Sequence, residues 1–250
     1  MKPTQRILYA GDTALSSAAA YLAGILSHYK LPFDYLASDQ PIAAALQGGA
    51  YGLYILSDYP RSNFRRADFA AVLAAVQAGA VLLMIGGWDS FQGLAGHYAG
   101  SPLEQALPVR LRRRDDRVNS PQPCVIEKTA DHAILDGLPW RQPATVGGYN
   151  HVARKPASQV LLTARHTDIR VRGGQIHFKP GRAAPLLIVG RYGQGRTAAF
   201  TSDVAPHWVG TLVDWGKKRI QAQAPGGNAV EIGCDYAEFF ARLVRWTMRR

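Results

Sequence analysis

The segment Val81-Leu82-Leu83-Met84-Ile85 is apolar at every position and stops at Gly86-Gly87. A strand with no polar alternation has neither face in water, so it belongs inside a sheet covered by helices on both sides, the environment of parallel strands. The residues before it repeat this theme. Short apolar runs over 6–10, 33–37 and 51–56 read as three earlier strands, and residues 16–29 carry apolar side chains at helical spacing. Residues 67–78 form an alanine-rich amphipathic helix with Asp68 in the first turn and Gly79 as its stop. The alternation predicts a three-layer α/β fold of flavodoxin-like type built on a mostly parallel sheet.

Residues 101–156 differ, with frequent proline and glycine and no long periodic helix, and are expected to form a β-rich peripheral or inserted region of one domain spanning 1–250. Residues 123–127 and 144–150 are its candidate strands. Beyond it, 160–163 is a strand. Residues 186–191 and 197–201 form a hairpin closed by the glycine-rich turn Tyr192-Gly193-Gln194-Gly195. Residues 236–248 close the chain as an amphipathic helix.

A chain of 250 residues with 47% apolar and 10% aromatic side chains can bury a large core. Its apolar runs fall far short of the roughly 20 residues that span a bilayer, so no membrane association is expected. The lysine-led start, 2–6, is followed by an apolar run that Gly11-Asp12 interrupts, which reads as a first strand rather than a signal peptide. Cys124 and Cys234 are the two cysteines, widely separated and without metal-ligand spacing. They suggest a reducing, cytoplasmic setting with neither disulfides nor zinc. The formal charge of +11 is uneven: residues 1–100 hold six basic and six acidic side chains, whereas 151–200 hold nine basic against Asp168 alone. Without aromatic-basic interleaving or a nucleic-acid motif this excess reads as a solvated surface, and nucleic acid is not an expected partner.

Ligands of open parallel sheets sit beyond the carboxyl ends of the strands. Asp12, Asp58, Asp89 and Asp203 each follow a predicted strand, and His207-Trp208 follow the last of them. Asp89, Asp203 and His207 are the candidate acid/base residues, facing one cavity, with the histidine paired to a carboxylate. Each aspartate could instead cap the next helix. Gly86-Gly87 permits the sharp turn of a nucleophile elbow, yet Ser90 is flanked two residues away by Trp88 and Gln92 and fails the G-x-S-x-G pattern.

The loop Ser57-Asp58-Tyr59-Pro60 and the turn Gly86-Gly87-Trp88-Asp89-Ser90-Phe91-Gln92-Gly93 recur in a known group, as does Ser202-Asp203-Val204-Ala205-Pro206-His207-Trp208. With Asp115-Asp116-Arg117-Val118, the segment from Asp131 to Pro139 and Gly148-Tyr149-Asn150, they resemble the bacterial "putative glutamine amidotransferase" family of the class I glutamine amidotransferase-like superfamily. The resemblance covers nearly the whole chain and implies that superfamily's fold. It also implies an elbow cysteine, a late histidine and an acidic residue two positions beyond it. Here the elbow offers Gly86, Gly87 or Trp88, and Val209 stands two beyond His207. Without a thiolate or an orienting acid no glutaminase activity is expected. The functional expectation is a degenerate site that binds a small polar ligand through Asp12, Asp58, Tyr59, Gly86, Gly87, Trp88, Ser90, Gln92, Tyr149, Asn150 and Trp208, or a homo-oligomeric assembly role. The alternative is a hydrolase or other acid/base enzyme using Asp89, Asp203 and His207. No cofactor or metal is called for.

Overall fold

A computed structural model of the chain describes residues 6–49 and 51–248. Residues 2–5 lie outside the described ones, and the apolar run after them is β1 (Ile7–Gly11). There follow α1 (Ala19–His28), β2 (Phe33–Leu36), α2 (Ala43–Leu46), β3 (Leu53–Ser57), α3 (Arg66–Gln77) and β4 (Val81–Ile85). Next come α4 (Leu103–Ala106), β5 (Val109–Arg110), β6 (Arg117–Lys128), β7 (Thr145–Asn150) and β8 (Ala153–Arg154). The chain continues through β9 (Gln159–Arg172), β10 (Gln175–Tyr192), β11 (Gly195–Phe200), β12 (Arg219–Ala222) and β13 (Val230–Gly233) to α5 (Cys234–Met248).

Strands β1, β3 and β4 are buried at every residue, as a strand covered on both faces must be. Alternate side chains feed two separate cores. Ile7, Tyr9, Leu53, Ile55, Leu83 and Ile85 pack with Leu22 and Leu26 of α1 and Phe239, Phe240 and Val244 of α5. Leu8, Tyr54, Leu56, Leu82 and Met84 face the other way onto Phe69, Val72 and Val76 of α3. At the start of α3 the Arg65 backbone N–H donates to Asp68 Oδ2 (2.8 Å), so the first-turn acid satisfies an otherwise orphaned amide. The helix stops at Gly79, whose φ of 118° lies in the region that favours glycine.

The main sheet has nine strands in the order β2-β1-β3-β4-β11-β10-β9-β6-β7. The expected mostly parallel sheet needs correcting. The four pairings from β2 to β11 are parallel, but the four from β11 to β7 are antiparallel and carry the longest strands. Within the region 101–156, β6 and β7 form the far end of this same sheet, and β5 pairs with β8 in a separate two-stranded ladder. Pro121 and Pro123 fall at the register shift between Asn119 and Cys124 in the β6–β7 pairing, a bulge that tolerates them.

The hairpin β9–β10 extends well beyond the expected strands 160–163 and 186–191. β6 pairs with β9 only as far as Arg165, and β11 pairs with β10 only from Leu187 onward. Residues 166–183 therefore form a two-stranded ribbon that turns at Gly173-Gly174 and runs past the carboxyl edge of the parallel strands. Opposed pairs Ile169 with Phe178 and Val171 with Ile176 share one ribbon face and are exposed. Asp168, Arg170, Arg172, His177 and Lys179 occupy the other face. Among the described residues no helix is long and apolar enough to cross a membrane.

Candidate functional site

Parallel register brings the strand ends together. Gly11 is level with Ser57, Ser57 with Ile85, and Ile85 with Phe200, so the residues just beyond them share one edge. Asp12 is buried; the Tyr9 hydroxyl donates to its Oδ2 and the Ser57 hydroxyl to its Oδ1 (3.0 Å). Asp203, also buried, accepts the Ala205 N–H on Oδ1 (3.0 Å). Asp58 accepts the Asp89 N–H on Oδ1 (2.8 Å), while its own N–H donates to Ser90 Oγ (3.0 Å). Both Asp12 (φ 54°) and Asp58 (φ 42°) sit in the left-handed region, a conformation that aspartate tolerates better than most residues and that recurs at functional sites.

No ion pair among the described residues involves Asp12, Asp58, Asp89 or Asp203. Three of these carboxyls are packed together without a cation, and their pKa values respond accordingly. Burial, reinforced by the charges of Asp203 and Asp12, pushes Asp58 up to about 9. Burial and the Asp12 charge push Asp203 up to about 8. Burial raises Asp12 to about 6, held there by the hydrogen bonds from Tyr9 and Ser57. Asp89, half-buried, is raised by desolvation and opposed by the nearby His97 and Arg117. At neutral pH Asp58 and Asp203 are protonated acids that can donate as well as accept, whereas Asp12 is largely ionised and accepts from Tyr9 and Ser57.

The elbow after β4 is clamped from three sides. Gly86 N–H donates to Phe200 O (2.8 Å) and Ser202 O (3.0 Å). Asn150, fully buried, accepts the Gly87 N–H on Oδ1 (3.0 Å) and donates from Nδ2 to Gly87 O (3.1 Å) and Asp116 Oδ1 (2.8 Å). Asp116 in turn accepts the N–H groups of Gln92 (3.1 Å) and Gly93 (2.9 Å). A Cβ at Gly87, where φ is 153°, would lie 2.0 Å from Asp58 Oδ1, so the carboxyl occupies the volume a side chain there would need. The next residue, Trp88, is 38% exposed and forms the rim of the site. His207 meets its ring edge-on with centroids 5.2 Å apart, and the Arg117 guanidinium lies 4.6 Å from the ring centroid.

The expected constellation is thus divided. Asp12, Asp58 and Asp203 converge, with Asp89 joined to Asp58 through its backbone. His207 stays on the exposed rim against Trp88, and among the described contacts it forms no hydrogen bond or ion pair with Asp89 or Asp203. Several residues expected at the ligand instead hold the scaffold. Tyr59 is buried and donates to Gln40 O (2.6 Å), and Trp208 is buried with its indole N–H donating to Asn119 Oδ1 (2.6 Å). The Ser90 hydroxyl is taken by Asp58, and Gln92 Oε1 accepts the Ala99 N–H (3.3 Å). Tyr149 points its hydroxyl at His166 Nε2 (2.7 Å). Asp116 and Arg117, together with Tyr9 and Ser57, contact the candidate site and are positions that strand-end reasoning passes over. Asp116 and Arg117 lie in the recurring Asp115-Asp116-Arg117 segment, which was the available signal.

Both thiols lie elsewhere, Cys124 in the core of β6 and Cys234 at the start of α5. Among the described residues no three His, Cys, Asp or Glu side chains are arranged to hold a metal ion. Cavities of about 620 and 660 Å³ lie away from the elbow, one beside Leu31, Phe33 and Pro225 and the other beside His132, Arg196 and Trp246.

Comparison with known proteins agrees with this architecture. No characterised protein matches the sequence significantly. Among solved structures, the cytoplasmic protein STM3548 of Salmonella typhimurium superposes with a TM-score of 0.72 at 21% identity, covering 98% of this chain and 99% of its own. The cytoplasmic protein STM1381 of Salmonella typhimurium LT2 gives 0.69 at 25% identity, over 98% and 100%. A ThuA-like protein of Parabacteroides merdae gives 0.58 at 15% identity, over 99% and 90%, a likeness of fold alone. The model of one family matches residues 53–220, which contain the Asp58 loop, the elbow, Asp116, Asn150 and the Asp203 segment, and by that match the chain belongs to the family described as "putative glutamine amidotransferase".

Proposed function

We propose that this chain binds a small polar ligand carrying an amino group at the carboxyl edge of the parallel strands and does not hydrolyse glutamine. The observation that carries this reading is the convergence of Asp12, Asp58 and Asp203 with no cation to balance them. Burying carboxyls without a counter-charge is unfavourable, and a bound ammonium group would relieve it by letting Asp58 ionise. The entry side is Asp58 and Asp89, the half-buried members, with Trp88 as an apolar rim. The missing thiol and the carboxyl behind Gly87 support a binding role over acyl transfer. The alternative, acid/base chemistry by Asp89, Asp203 and His207, is weakened by the position of His207 against Trp88. The names of the two Salmonella relatives support a cytoplasmic location.

Calorimetry with putrescine in two buffers of different ionisation enthalpy tests the proposal. Saturable binding with proton release, abolished by Asp58→Asn, is expected, together with no ammonia release from glutamine. Ammonia release that Cys124→Ala or Cys234→Ala abolishes would overturn the non-hydrolytic reading, and absence of amine binding from pH 6 to 9 would overturn the ligand class. A second role, homo-oligomeric assembly, is favoured by the exposed face of Ile169, Val171, Ile176 and Phe178. A two-fold axis would lay identical apolar faces together and leave the basic faces outward. Sedimentation velocity tests it: a dimer that Phe178→Glu dissociates supports the role, and a monomeric wild type removes it.

A further inference from the structure

A second cluster stands at the base of the ribbon and carries the opposite charge. His166 of β9 meets the Tyr149 hydroxyl of β7 through Nε2 (2.7 Å), and its Nδ1 lies 3.5 Å from Ser120 Oγ of β6. His151 follows directly after β7, its N–H bound to Asp116 O (2.7 Å). Arg182 sits in the irregular stretch of β10 between Pro180 and Ala183, opposite His166. Arg182 is close enough to disfavour the charged form of both histidines, and Arg112, from the segment after β5, acts on His151 in the same way. Four basic side chains from four segments therefore crowd one another, and no ion pair among the described residues includes Arg112 or Arg182.

Fixed arginine charge beside histidines that can take up protons, opposed only weakly by Asp116 and Asp168, suits the binding of an anion. We propose that Arg112, Arg182, His151 and His166 bind an oxyanion group of the phosphate class over the Tyr149 hydroxyl. The arginines supply fixed charge and planar donors, the histidines supply N–H donors that become charged on binding, and Tyr149 and Ser120 supply neutral hydroxyls. Both histidines are half-buried, which favours a small anion over the broad backbone of a duplex. This site is distinct from the carboxyl edge, because successive residues Tyr149 and Asn150 point to opposite faces of β7 and only Asn150 serves the elbow. Either site can fail without the other.

The pH dependence follows from every group facing the histidines. Burial and the arginines hold His151 and His166 below the ordinary histidine value, against weaker opposition from Asp116 and Asp168 respectively. An arriving dianion reverses the balance, so binding takes up protons and tightens as pH falls.

The probe is inorganic phosphate, titrated into the full chain by calorimetry at pH 6 and pH 8, with the imidazole C2–H resonances followed by NMR. One saturable site is expected, several-fold tighter at pH 6, with His151 and His166 both titrating at higher pH when phosphate is present. Arg182→Gln and Arg112→Gln each weaken binding about tenfold, the usual scale for losing a charge-assisted hydrogen bond. Arg182 is exposed, so circular dichroism of that variant is expected to match the wild type. His166→Gln retains binding but loses part of its pH dependence. No saturation at millimolar phosphate, or equal affinity in wild type and both arginine variants, overturns the proposal. So does binding confined to a single-stranded oligonucleotide and abolished by Arg170→Gln with Arg172→Gln while Arg182→Gln leaves it intact.

Discussion

Replacing Asp58 with asparagine should make the protein more stable, and increasingly so as pH rises. The side chain keeps its shape, its Oδ1 can still accept the Asp89 N–H (2.8 Å), and asparagine tolerates the left-handed φ of 42°. What changes is the ionisable proton. The carboxyl rises from 3.8 in its ordinary state to about 9 in the fold. Between those values the unfolded chain has released its proton and the folded chain has not. The folded state binds more protons, and stability is lost as pH rises through that window. At pH 8 the unfolded carboxyl is about four units past its pKa, which at about 1.4 kcal/mol per unit sets an upper bound near 6 kcal/mol. Asp12 and Asp203 share the same repulsion, so removing one carboxyl of three should recover about 2 kcal/mol at pH 8 and about 0.5 kcal/mol at pH 5. Urea unfolding of both proteins at the two pH values measures this. A gain independent of pH, or a loss that grows with pH, would mean that Asp58 is ionised in the fold and held by a favourable partner, contrary to the reasoning.

Three further outcomes follow from the same contacts. Gly87→Cys should not create glutaminase activity and should destabilise by about 2 kcal/mol or more, because its Cβ would overlap the Asp58 carboxyl; ammonia release and thermal unfolding check both parts. Asn150→Ala removes three buried hydrogen bonds around the elbow and should cost about 2–3 kcal/mol in denaturant unfolding. Phe178→Ser, at a side chain 66% exposed, should change the stability of the monomer by no more than about 0.5 kcal/mol by the same assay.

The parallel half of the fold was legible because its strands are short, wholly apolar and punctuated. Val81 to Ile85 announces a doubly covered strand, and Gly79 and Asp68 bound the helix before it. The antiparallel half was not. β9 and β10 keep alternating beyond the core, Ile169, Val171, Ile176 and Phe178 between Asp168, Arg170, Arg172, His177 and Lys179, but with no apolar layer to cover them these residues were not expected as strands, and the expected strands stop at 163 and resume at 186. The strand-end rule placed Asp12, Asp58, Asp89 and Asp203 on one edge, since parallel register fixes where strand ends fall. It misjudged His207, because the rule locates a backbone position and leaves the direction of an exposed loop side chain open. Asp116 and Arg117 escaped it because they enter the site from the start of an antiparallel strand, β6, rather than from the end of a parallel one. Tyr59 and Trp208 sit where expected along the chain, but large apolar bodies at those positions were drawn into the core.

The account rests on buried carboxyls that remain protonated at neutral pH, and carbon-13 NMR of the aspartate side-chain carbons across pH 3 to 10 measures this directly. Asp58 and Asp203 are predicted to titrate near 9 and 8, with Asp12 near 6, assigned through their asparagine variants. Adding putrescine should move the Asp58 transition to lower pH. Titration of all three below about pH 5, the ordinary range for exposed aspartate, with no response to the amine, would contradict the proposed site.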